Sequence, residues 1–147
     1  MASFVYTNAK KLIAQGALNF TEGQVDLRVA LVMTNTTADT EDDTEFISGF
    51  TTLDEMGGAN YARKVCANQA IAQDDPNLRA EITFDAITWT ALGAGTRQVQ
   101  GAILFKFVTD DTDSIPIAWV DTGGFPFTAN GGSVTLTPNA EGFLQVT

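Results

Sequence analysis

The sequence predicts a mainly β fold: an antiparallel β-sandwich or barrel-like domain with an N-terminal α-helix and long loops. Three observations lead there. Short apolar runs at 61–72, 79–84, 99–108, 115–120, 133–138 and 143–146 are mostly bounded by Gly, Pro, Asn or Asp, with no helical pattern between them. Helical periodicity is confined to the first residues. A length of 147 residues suits one domain, spanning 1–147, around one hydrophobic core.

Taken in order, Ser3 offers an N-cap, and Val5, Ala9, Leu12, Ile13 and Gly16 fall on one helical face, which predicts a helix over about 3–16. Its apolar side is narrow and Lys10, Lys11 and Gln15 lie beside it, so the helix is expected to lie across a sheet or a neighbour. The run 26–33 is a strand with Leu27, Val29, Leu31 and Met33 on one face and Ala30 and Val32 on the other, a pattern that calls for cover on both sides. Residues from about 34 to 45 are Thr, Asp and Glu with almost nothing apolar, which predicts a solvated acidic loop. Phe46, Ile47, Phe50 and Leu53 then tuck the chain back, and Thr52-Leu53-Asp54-Glu55 matches a capping box for one helical turn. Pro116 sits near the start of its run, which places that strand at a sheet edge.

Composition narrows the function classes. Eighteen acidic residues against eight basic ones give a net charge of −10, a field that repels nucleic acid and anionic membranes. No apolar run approaches the roughly 20 residues that span a bilayer, and the N-terminus lacks the pattern of a signal peptide. Synthesis and folding in a cytoplasm are expected. The single cysteine, Cys66, excludes an intramolecular disulfide and reads as a small buried strand residue.

The chemistry-bearing patterns are sparse. The absence of histidine removes Ser-His-Asp and Cys-His arrangements and histidine zinc sites. Gly93-Ala94-Gly95 is half of a dinucleotide fingerprint without its βαβ setting, and reads as a loop. The acidic clusters at 39–45 and 110–113 lack the ordered spacing of a calcium loop. No catalytic residue, cofactor-binding residue or metal ligand is therefore assigned. Phe105 and Trp119, embedded in strong strands, read as core. Phe125-Pro126-Phe127 follows two glycines in a loop, where exposed aromatics would mark a partner contact. Arg63, Arg79 and Arg97 stand out in a chain poor in cations; they either pair internally with acidic loops or reach carboxylates on a neighbouring subunit. The residues expected at a partner interface are Phe4, Tyr6, Lys10, Lys11, Arg63, Arg97, Phe125, Pro126 and Phe127.

Several segments together resemble a family of small virion structural proteins of tailed bacteriophages. They are the Lys10-Lys11-Leu12-Ile13 helix, the strand at 26–32, and the segment 50–55 leading into Asn60-Tyr61-Ala62-Arg63-Lys64. The series continues through Asp74-Asp75, Leu78-Arg79-Ala80-Glu81, Phe84-Asp85-Ala86-Ile87-Thr88-Trp89, Ala94-Gly95-Thr96-Arg97-Gln98, 101–106, 116–120 and 139–144. The resemblance covers nearly the whole chain in order and implies a head or tail component without enzymatic activity. The leading expectation is a capsid decoration, or cement, protein on the outer surface of the head. Its partners would be the major capsid protein and copies of itself, with a homotrimer one form, and it would need no cofactor. The alternatives are a tail, neck or fibre-associated structural protein and, more remotely, a carbohydrate-binding β-sandwich that stacks sugars on Trp89 or Trp119.

Overall fold

The computed structural model describes residues 3–139 and 142–146. Among these the elements run β1 (Phe4–Val5), α1 (Thr7–Ala14), β2 (Leu27–Met33), β3 (Lys64–Val65), β4 (Ala70–Asp74), β5 (Arg79–Thr83), β6 (Ile87–Trp89), β7 (Val99–Lys106), β8 (Ile115–Val120), β9 (Val134–Leu136) and β10 (Leu144–Val146). Single 3₁₀ turns lie at Ile47–Gly49 and Asp75–Asn77. Every strand pairing is antiparallel. A five-stranded sheet has the order β1-β8-β7-β2-β3, a three-stranded sheet the order β10-β5-β4, and β6 pairs with β9. The fold is thus mainly β, with one short N-terminal helix and its sheets gathered around one core.

The core is built on β2, β7 and β8. From Val29 to Met33 every residue of β2 is buried, and so is every residue from Gly101 to Phe105 in β7 and from Pro116 to Trp119 in β8. Because strand side chains alternate, both faces of these strands are covered. Tyr6 and Ala9, Leu18 and Phe20, Ile47 and Phe50, Ile82, and Leu144 join the same cluster from five other parts of the chain.

The helix begins later than its periodicity predicts. Phe4 and Val5 are drawn into strand pairing opposite Trp119 and Ala118, so the helical backbone starts only at Thr7, with Tyr6 at the N-cap. Ser3 does not cap it; its hydroxyl lies 3.2 Å from Asp121 Oδ1. Pro116 does not mark an edge either, because β8 lies between β1 and β7. The missing N–H of Pro116 falls opposite Phe105, where the β7–β8 register shifts between Leu104 and Phe105, and this irregularity accommodates it.

Other corrections share a tertiary cause. The run 61–72 is split, because Asn68 takes a left-handed backbone (φ +54°) between β3 and β4. Thr52–Glu55 forms no helical turn: Glu55 bridges Val32 on the antiparallel side, and Met33 N–H donates to Asp54 O at 2.8 Å. The acidic loop is not simply solvated. Ala38 is fully buried, Tyr6 Oη donates to its carbonyl at 2.7 Å, and Thr7 N–H donates to Asp42 O at 2.8 Å. Glu41 organises the loop by accepting from Thr37 Oγ1 and Thr51 N–H, each at 2.8 Å, and from Thr51 Oγ1 at 2.5 Å. β1 and β6, of two and three residues, are too short for a period to show in the sequence.

One close approach in the core needs glycine. A Cβ on Gly101 would lie 2.5 Å and 2.6 Å from ring carbons of fully buried Trp119 and 2.7 Å from Val120 O. Neither the ring nor the backbone can yield cheaply. Gly101→Ala is expected to lower stability by about 1–3 kcal/mol, read as a lower urea midpoint with an unchanged slope.

Candidate interaction surface

The nine residues expected at a partner interface fall into three groups. Tyr6 is fully buried, so it belongs to the interior of this chain; Phe4 packs edge-on against it with ring centroids 5.0 Å apart. Lys10 and Lys11 are exposed on α1. There Phe4, Val5, Lys10, Ile13, Leu144 and Val146 are among the residues lining a groove of about 590 Å³ between the helix and β10. Phe125 and Phe127 are half-buried with centroids 5.6 Å apart, and Pro126, which follows a cis peptide bond, is exposed. Their loop is held by Phe127 N–H to Val99 O at 3.0 Å and Val99 N–H to Phe127 O at 2.8 Å.

The arginines take internal partners. Arg63 donates to Glu55 through Nε at 2.8 Å and through a terminal nitrogen at 2.7 Å, and its other terminal nitrogen meets Asp111. Its guanidinium also lies 5.2 Å above the Phe105 ring. One planar cation thus ties the end of the 46–57 segment and the 108–114 loop to the sheet. The two carboxylates raise the pKa of Arg63 further above its usual value, working against partial burial. Arg28 repeats the pattern, paired with Asp26 at 2.7 Å and stacked 3.6 Å over Phe107. Arg97 pairs with Asp54, whose carboxylate also accepts Asn35 N–H at 2.9 Å. The Arg97 guanidinium beside Asp54 holds that carboxyl below its usual range.

Both tryptophans are fully buried, and Trp89 Nε1 donates to Ala62 O at 2.8 Å, so neither ring offers a stacking platform for sugar. Gly95 packs rather than flexes: a Cβ there would lie 2.7 Å from Met56 Sδ and 2.8 Å from Met33 Sδ. Cys66 is buried, and desolvation with nearby Asp26 pushes its thiol up to about 12. Among the described residues no group of three His, Cys, Asp or Glu side chains is arranged to hold a metal, and no helix is long and apolar enough to cross a membrane.

The surface that the sequence reading missed is the β4–β5 hairpin, an arm formed with β10. Strand alternation gives it two different faces. On one, Arg79 bridges Asp74 at 3.0 Å and Glu81 at 2.9 Å and reaches Gln145 at 3.3 Å. The other carries Ile71 opposite Ile82, Leu144 opposite Ile82, and Val146 opposite Ala80. Ile82 and Leu144 are buried, whereas Ile71, on the outer strand across from Ile82, is 51% exposed and Val146, nearer the tip, 37%. At the tip itself Leu78 is 85% exposed and holds a left-handed backbone (φ +54°), a conformation that glycine or asparagine takes at lower cost. The one signal in the sequence was Leu78 itself, an apolar residue inside a polar turn.

Replacing Arg63 with Met leaves Glu55 and Asp111 without their cation at a site where the arginine side chain is 21% exposed, and is expected to cost about 2 kcal/mol in urea unfolding. Arg97→Met should cost less, since that side chain is 44% exposed. The Glu41 carboxyl is held below its usual range, first by the Thr51 hydroxyl and then by the Thr51 backbone N–H. Its contribution is therefore complete above the unfolded value of about 4.3 and is lost as pH falls through the lower folded value. The stability gap between the wild type and Glu41→Gln should accordingly shrink below about pH 4, measured as urea midpoints along a pH series.

Compared with known proteins, the chain matches no family model, no curated protein and no solved structure.

Proposed function

We propose that this protein is a non-enzymatic structural component of a tailed-bacteriophage particle, a decoration protein that seats on the outer surface of the head and bridges copies of the major capsid protein. The observation that carries the reading is Leu78. A large apolar side chain at the end of a hairpin, 85% exposed and on a left-handed backbone, contributes little to the fold of its own chain. It makes sense as an anchor that enters a pocket on a partner. The bare ends of Ile71 and Val146 beside it extend the same apolar surface. The segment-by-segment resemblance to small phage virion proteins names the kind of partner. The net charge of −10 favours the outside of a shell over a surface facing packaged DNA. Weak contacts of this size, repeated by the symmetry of a head, add to firm attachment.

The test is to mix purified chain with expanded heads that lack it, drawn from the phage that encodes it. High-copy binding and heads that resist higher temperature are expected. Leu78→Asp should weaken head binding by at least about tenfold, or about 1.4 kcal/mol, while its unfolding free energy from urea titration stays within about 0.5 kcal/mol of wild type. Label found on tails with heads left bare would overturn the head assignment.

A further inference from the structure

We infer that the outer edge of β4 is where a second copy of this chain adds its own β4, antiparallel about a two-fold axis at Ala72, joining two three-stranded sheets into one of six strands. The inference rests on reading the arm as an assembly element and names the partner of its edge, leaving Leu78 and the apolar face to the particle.

The strand itself supplies the first observation. β4 pairs with β5 in regular register from Ala70 opposite Thr83 to Asp74 opposite Arg79, without a bulge. Among the described residues no backbone group of Ala70–Asp74 bonds to anything but β5, so one side of the strand is an open row of donors and acceptors. Another extended backbone can replace water along the whole of such a row at once. Ala70, Ile71, Ala72 and Gln73 are all exposed, so neither face of the strand is covered and a second sheet edge can approach without displacing anything.

The second observation is a contrast with the other edges. β1 and β3 have two residues each, β3 carries Lys64, and β6, β9 and β10 have three. Short edges and edge lysines are the usual devices against strand pairing. β4 is the longest edge strand and has neither device, nor a proline.

Self-complementarity about Ala72 admits a second copy, and charge sets its direction. Two chains of −10 repel over most of their surfaces, so a contact between copies needs a stretch without net charge. Ala70–Gln73 is uncharged, and Asp74 is paired at 3.0 Å with Arg79, which it shares with Glu81. Antiparallel pairing about Ala72 sets Asp74 opposite the partner's Ala70, and Ile71 opposite the partner's Gln73, with no like charges facing. Parallel pairing would stack Asp74 on the partner's Asp74. A two-fold contact of this kind is self-complementary and closed.

Sedimentation velocity of the isolated full chain across a concentration series is expected to show a monomer–dimer equilibrium. Ala72→Lys places two ammonium groups together at the axis and should raise the dimer dissociation constant at least tenfold, as should Ile71→Lys, with the fluorescence of buried Trp89 and Trp119 unchanged. Ala72→Cys should oxidise to a disulfide-linked dimer faster than Val108→Cys, an exposed control outside the arm. A chain that stays monomeric throughout, a dimer untouched by Ala72→Lys, or equal cross-linking of the two cysteine variants would overturn the inference. Head binding separates the two proposals: a monomer that still decorates heads removes only the two-fold contact, whereas a β4-linked dimer that ignores heads removes only the head assignment.

Discussion

Three neighbouring strands that are apolar on both faces cannot fold alone, and this requirement organises the rest of the molecule. β2, β7 and β8 offer water no polar face along their central residues, so chain must be recruited to both sides. The recruits come from the start of the chain through Tyr6 and Ala9, from the middle through Ile47 and Phe50, and from the arm through Ile82 and Leu144. The Trp119 ring lying over Gly101 shows how close the packing becomes: the space a methyl group would need is already filled by indole and carbonyl.

Loops that cross such a sheet bring polar backbone and carboxylates with them, and the chain meets this with a few planar cations and many hydroxyls. Arg63 and Arg28 each do two things at once, stacking on a phenylalanine and bonding to carboxylates. A lysine could do the second only as a point charge. Glu41, surrounded by Thr37 and Thr51, turns an acidic stretch into a folded one by gathering donors that would otherwise face water. With four arginines committed to internal pairs, the outward field remains strongly acidic.

The arm departs from this economy of burial. Its root joins the core through Ile82 and Leu144, and its polar face is internally matched around Arg79, yet its tip, one apolar face and one strand edge are left without cover. Where β2, β7 and β8 are covered on both faces, β4 is exposed on both from Ala70 to Gln73.

The fold class, the double-sided burial of β2, and the positions of β5, β7 and β8 are legible in the sequence, because continuous or alternating apolar runs record how each strand meets its surroundings. The sequence also marked Arg63, Arg79 and Arg97 as unusual, and it left open whether their carboxylate partners were internal. Only the tertiary structure decided that they pair within the chain, that Asp54 and Glu55 serve arginines in place of a helix cap, that Phe4 and Val5 form a strand, and that Pro116 lies inside a sheet. It alone decided that Tyr6 is interior and that the β4 edge is open. The physical reason is one of range. Periodicity reports what a residue requires of its own few neighbours, whereas a carboxylate's partner or a strand's vacant side is set by segments tens of residues away, brought together only when the core closes.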